Sequence, residues 1–196
     1  SIVTVTAVLG PRRQPARQPA GPRLDAAPSV LGLGSLGVRG LAEQVRRAPA
    51  AKRAQALLDL LTTHLAPDGF RATVREVETT LRLGRGDCTD LALATVAVAR
   101  ASGLPARLVS GWVVEESGLV GPERFHDWAE VHDGQRWRVV DVHARRLDGD
   151  AVLLATHLDS VTTDQPGGTR FTGLTGELEV SMLTAGGTAP ASGGRP

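Results

Sequence analysis

Cys88 is the only cysteine among 196 residues, so any thiol chemistry in this chain must pass through it. It is followed by a stretch, residues 89–101, that is apolar nearly all round, the pattern of a helix buried inside a domain. Asp87 stands at the N-cap position and Asp90 in the first turn, where acidic groups complement the positive end of the helix dipole. Gly103 and Pro105 end the helix. Cys88 is therefore expected as the first residue of a buried helix. There the dipole favours a thiolate, and its own amide, lacking an intrahelical partner, is free to stabilise an oxyanion. Two further residues could complete a nucleophilic site. Residues 125–132 and 135–142 read as strands around Asp133-Gly134, a strong hairpin signal. A two-residue turn there sets His132 opposite Gln135, Glu130 opposite Trp137, and His126 opposite Asp141, with Cβ atoms about 4.5–5.5 Å apart. The carboxylate would hold the ring tautomer and stabilise an imidazolium. A helix start packed against the sheet face bearing this pair would give a thiolate–imidazolium arrangement. Asp127, alternating to the opposite face, is expected to stay clear of it.

The elements that must position these groups are legible to differing degrees. Residues 1–9 alternate as a short strand, and residues 11–28 are a Pro-rich irregular connector. A short helix over residues 41–47 breaks at Pro49. A stronger one covers 50–65, with Ala54, Leu57, Leu58, Leu61 and Leu65 on one face, and stops before Pro67-Asp68-Gly69. After the Cys88 helix come strands: residues 107–114, a Gly-containing loop to Arg124, the two hairpin strands, and a last strand marked by Leu178, Val180 and Met182. Residues 185–196 read as a disordered tail. Helices first and an antiparallel sheet after them make an α+β domain. The expected organisation is a strand and connector over 1–40, a catalytic domain over 41–184, and the tail.

Composition narrows the function classes. One cysteine excludes an intramolecular disulfide framework and a Cys-only metal cluster. The apolar stretch at residues 91–99 is far too short to span a bilayer. Charge is uneven: residues 1–53 carry nine basic and two acidic side chains, residues 54–196 carry 13 and 19. The basic excess gathers between Pro11 and Arg23, but no aromatic residues interleave with the arginines to stack bases, so a solvated linker is expected there and no nucleic-acid partner. His132, His143 and His157 are spare histidines, and no two histidines lie at helical i, i+4 spacing, so neither a metal nor a cofactor is expected. Trp128 and Trp137 read as core packing, Trp128 on the His126 face and Trp137 opposite Glu130.

Several blocks together carry a family likeness. Gly86-Asp87-Cys88-Thr89-Asp90, then Ala99-Arg100-Ala101-Ser102-Gly103-Leu104-Pro105-Ala106-Arg107, then His126-Asp127-Trp128-Ala129-Glu130-Val131, then Trp137 and Val140-Asp141 resemble, in order, the bacterial transglutaminase-like (papain-related) superfamily. The likeness covers about residues 76–143, and Glu78-Thr79-Thr80-Leu81 and Ala155-Thr156-His157-Leu158 are similar to secreted bacterial members. It implies a papain-like core in which Cys88 is the nucleophile, His126 the general base and acid, and Asp141 the orienting carboxylate. The implied reaction is cysteine-dependent attack on an amide, a peptide bond or a glutamine side chain of a peptide or protein, through a thioester, with hydrolysis favoured over cross-linking. It also implies a periplasmic or secreted setting; the chain begins with Ser, and a leader could precede it. Two positions depart from the family pattern. Asp127 stands where Ala is commoner, and Val142-His143 replace the usual Pro-Thr after Asp141. The competing reading is a catalytically silent module that keeps the fold to bind peptide or cell-wall partners.

Overall fold

The computed structural model describes residues 31–71, 73–114, 118–148, 152–159 and 178–180. The strand expected over 1–9, the connector over 11–28, Met182 and the tail lie outside them. Ser35 caps the first helix, α1 (Leu36–Arg47), by accepting from the Val38 amide, and so starts it earlier than apolar spacing alone predicts. Its buried stripe is Val38, Leu41, Ala42 and Val45. A 3-10 turn (Ala50–Lys52) leads into α2 (Arg53–His64), which buries the expected Ala54, Leu57, Leu58 and Leu61. Next come β1 (Ala66–Pro67), a short helix α3 (Val77–Leu83) and β2 (Arg85–Gly86), the two strands pairing in parallel. Periodicity did not single out these three pieces because each is too short to show it. The central helix α4 (Cys88–Ala101) is buried from Thr89 through Arg100, as its sequence predicts.

A five-stranded sheet lies against the helices. Its strands are β3 (Ala106–Val114), β5 (Phe125–His132), β6 (Trp137–Asp141), β7 (Arg146–Leu147) and β8 (Val152–Asp159), in the order β7-β6-β5-β3-β8 with all neighbours antiparallel. A small separate ribbon pairs β4 (Gly118–Val120) with β9 (Leu178–Val180), the latter at the expected final strand. Ala106, Leu108, Ala129, Val131, Val140 and Val142 join the helices in the main core, while Val109, Trp128 and Val139 form a second cluster on the other face. No helix among the described residues is long and apolar enough to cross a membrane.

The hairpin register differs from expectation by two residues. Trp137 is opposite His132 and Val139 is opposite Glu130. The loop comprises four residues, 133–136, instead of Asp133-Gly134 alone. The Asp133 carboxylate accepts from the amides of both Gln135 and Arg136, the Asp133 amide donates to the Arg136 carbonyl, and Gly134 takes φ +99°. An Asp side chain closing its own turn in this way competes with the tight two-residue form. A shift of two preserves the face of every side chain, whereas a shift of one would have exchanged them. His126 and Asp141 therefore share a face as diagonal neighbours, not as a directly opposed pair.

Candidate active site

The start of α4 is held by several independent contacts. Asp87 Oδ1 accepts from the amides of Thr89 and Asp90 at 3.1 and 2.9 Å, and its backbone carbonyl accepts from Leu91. The other carboxylate oxygen takes the Arg71 amide. The Cys88 amide is left as a first-turn N–H without a protein partner among the described residues, as the sequence predicts. Gly86 packs directly on the first turn: a Cβ there would lie 2.5 Å from the Asp90 Cβ. Asp90 is 1% exposed and accepts from the Arg75 amide at 3.1 Å. Burial pushes its carboxyl above the ordinary value, with the Asp87 charge adding to the effect. Both acids serve the helix start and its covering segment.

One contact here went unread in the sequence. The Thr89 hydroxyl donates to the buried Asp127 carboxylate, tying the first turn of α4 to β5. Asp127 therefore points to the helical layer with Ala129 and Val131, away from the His126 face as expected, and it anchors the element that carries Cys88. Only the tertiary approach of α4 could reveal this, since the two residues are 38 positions apart.

His126 is the centre of the arrangement. Its Nε2 lies 2.9 Å from Asp141 Oδ2, and Cys88 is the other side chain that favours the charged ring. With Nε2 taken by the carboxylate, Nδ1 is the nitrogen available to the sulfur. The helix packs on the opposite sheet face, and Cys88 acts on the ring from the first residue of α4 and not from its packed flank. Burial pulls the imidazole toward neutrality, but the Asp141 hydrogen bond, the Cys88 side chain and both partners' charges outweigh it and raise the ring to about 9. Trp128 stacks beside the ring at 6.3 Å between centroids, and His143 meets it edge-on at 5.3 Å. Burial and the His126 charge both push His143 below its ordinary value. Trp137 is buried under the Arg107 guanidinium, 4.2 Å from its centroid, with Arg107 ion-paired to Glu130. Both Trp128 and Trp137 therefore pack as expected, although Trp137 is not opposite Glu130. The side chain of His157 lies outside the described residues, though its backbone pairs with Ser110.

Asp141 is 1% exposed and fully engaged. Oδ1 accepts from the Ala144 amide at 3.0 Å; Oδ2 accepts from both His126 and Arg146 Nη2, the latter at 3.0 Å. Burial works against the carboxylate, but the His126 hydrogen bond and charge, the Ala144 amide and the Arg146 charge hold it below the usual range. The turn after β6 ends with Arg145 at φ 52° and returns the chain so that Asp141 pairs directly with Arg146. Arg146 was not anticipated. Its signal, a cation five residues after the acid across a short turn, becomes meaningful only once that turn is known to close. A thiol, an imidazolium and an anchored carboxylate in this order can form and resolve an acyl-thioester.

Comparison with known proteins gives the same family. Residues 39–142, just over half the chain, match the family described as the transglutaminase-like superfamily. Among solved structures, the periplasmic domain of TgpA from Pseudomonas aeruginosa, bound to ethylmercury, is 30% identical with a TM-score of 0.45, over 55% of this chain and 44% of that one. A proposed cysteine protease from Cytophaga hutchinsonii is 17% identical with a TM-score of 0.44, over 62% of this chain and 48% of that one. The chain thus spans under half the length of these two solved chains. No curated protein matches it.

Proposed function

The chain belongs to the transglutaminase-like superfamily, and from that premise we propose that it is a cysteine-dependent amide hydrolase or acyltransferase, with hydrolysis favoured. The observation that carries this reading is the 2.9 Å contact between the His126 ring and the buried Asp141 carboxylate, which together with Cys88 favours the charged ring. Cys88 Sγ attacks the carbonyl carbon of a peptide or glutamine amide, and the carbonyl π electrons pass to oxygen. The free Cys88 amide is available to the resulting oxyanion. His126 gives its proton to the leaving nitrogen as the C–N bond breaks, leaving a thioester on Cys88. The now neutral ring takes a proton from water, whose oxygen attacks the thioester. Collapse expels the sulfur, releases the acid and restores the protonated ring. An amine in place of water would give transfer. No separate amine site is evident in the sequence, which is why hydrolysis leads. A periplasmic or secreted setting with peptide or protein substrates accords with the family resemblance.

The test is alkylation of Cys88 by iodoacetamide at neutral pH, followed by turnover of peptide and glutamine donors. Cys88 should react much faster than free cysteine, and His126→Ala should remove the excess. Cys88→Ala should abolish turnover and leave the fold intact. Ordinary, His126-independent reactivity would favour the silent binding module.

A further inference from the structure

The carboxylate oxygen that orients His126 is shared. Arg146 Nη2 donates to the same Asp141 Oδ2, at 3.0 Å, that His126 Nε2 meets at 2.9 Å. The approach is end-on. Arg146 Nε is buried without a hydrogen-bond partner, so the side chain forgoes the bidentate fork by which arginine usually satisfies both itself and a carboxylate. A salt bridge serving stability alone would gain from that fork. The side chain is 20% exposed and belongs to β7, whose pairing with β6 sets Arg146 directly opposite Asp141. The turn that achieves this follows Asp141 where the sequence departs from the family pattern, at Val142-His143.

We propose that Arg146 is a positioning residue of the site, which fixes the Asp141 carboxylate and offsets its charge so that His126 remains an effective acid. This inference rests on the reading of Cys88, His126 and Asp141 as the reacting set. One effect follows from a cation beside the shared oxygen: it makes the carboxylate a weaker acceptor for the ring proton, and so opposes the partner that favours the imidazolium. The charged or titratable groups around the ring are Cys88 from the start of α4, Asp141 from β6 and His143 from the following turn, with Arg146 from β7 acting on Asp141 and Asp87 acting on His143. Arg146 is the guanidinium among them, and it donates to the shared oxygen. Without the guanidinium the ring would hold its proton more tightly and deliver it less readily to a leaving nitrogen.

The experiment compares wild type with Arg146→Gln and Arg146→Lys, reading the His126 titration by NMR of the ring nuclei, the pH profile of kcat, and KM. Arg146→Gln should move the His126 titration up by about one unit and carry the alkaline fall in kcat with it. At neutral pH it should lower kcat roughly tenfold and leave KM within about twofold. Arg146→Lys, which keeps the charge, should return the titration close to wild type. Arg146→Met serves in place of Arg146→Gln if the latter does not fold. A folded neutral variant that titrates with wild type, or a lysine variant displaced as far as the glutamine, overturns the proposal. The NMR titration needs no substrate. A wild type without amide turnover whose ring still responds to the charge at 146 would therefore sink the acyl chemistry and leave the electrostatic inference standing.

Discussion

At the scale of single residues, the site depends on where one proton sits. His126 holds it near neutral pH because Asp141 and Cys88 together overcome the cost of burying a charged ring. Asp141→Asn removes the acceptor and offers an amide that favours the wrong tautomer. It should lower kcat by about 10²–10⁴-fold while the thiol remains available to alkylation. Steady-state turnover near pH 7 checks this, and activity close to wild type would mean that another group orients the ring. The placement of Cys88 at a helix start, and of His126 and Asp141 on one face of adjoining strands, was legible in the sequence; the roles proposed for them came from the family resemblance. Arg146 and the Thr89–Asp127 contact were not legible there. Nothing local marks them, and each acquires its role from a turn closure or a helix approach.

At the scale of elements, the start of α4 and the hairpin after it carry the geometry. Asp87 takes two first-turn amides and the Arg71 amide, so Asp87→Ala should cost about 1–2 kcal/mol, at the upper end for an N-cap. Gly86→Ala should cost more, about 2–3 kcal/mol, because its Cβ would meet the Asp90 Cβ at 2.5 Å and the first turn would have to move. That movement carries Cys88 with it. Denaturation midpoints give the two costs, and Gly86→Ala should also slow Cys88 alkylation; a Gly86→Ala protein as stable as wild type would refute the close packing. The hairpin shows how an element can be misread without harm to the site. The expected two-residue turn proved to be a four-residue loop closed by Asp133, yet the displacement was even and kept His126 and Asp141 on one face. Short pieces fared worse: α3, β1 and β2 lack the length for a period to emerge.

At the scale of the whole molecule, the buried pair couples stability to pH. The folded value of His126 lies above its ordinary 6.5, at about 9, so its contribution is full below 6.5 and is lost as pH rises through 9. The folded value of Asp141 lies below its ordinary 3.8, so its contribution is present above 3.8 and is lost as pH falls through the lower folded value. Both terms are therefore in place between about pH 4 and 6.5. Between pH 6 and 9.5 the wild type should lose on the order of 3 kcal/mol from the ring. His126→Gln should lack that component. Denaturant melts of both proteins at the two pH values measure it, and equal losses would remove His126 as the cause. The sequence by itself determined the α+β order, the buried helix behind Cys88 and the faces of the strands. These follow from residue types and from periods of 3.6 and 2, which are local properties of a chain. The tertiary structure alone decided the hairpin register, the anchoring of Asp127 and the arrival of Arg146 at Asp141. Each of those depends on a loop closing or two distant elements meeting, and hydrogen-bond and charge complementarity act only after the chain has brought the groups within a few ångströms.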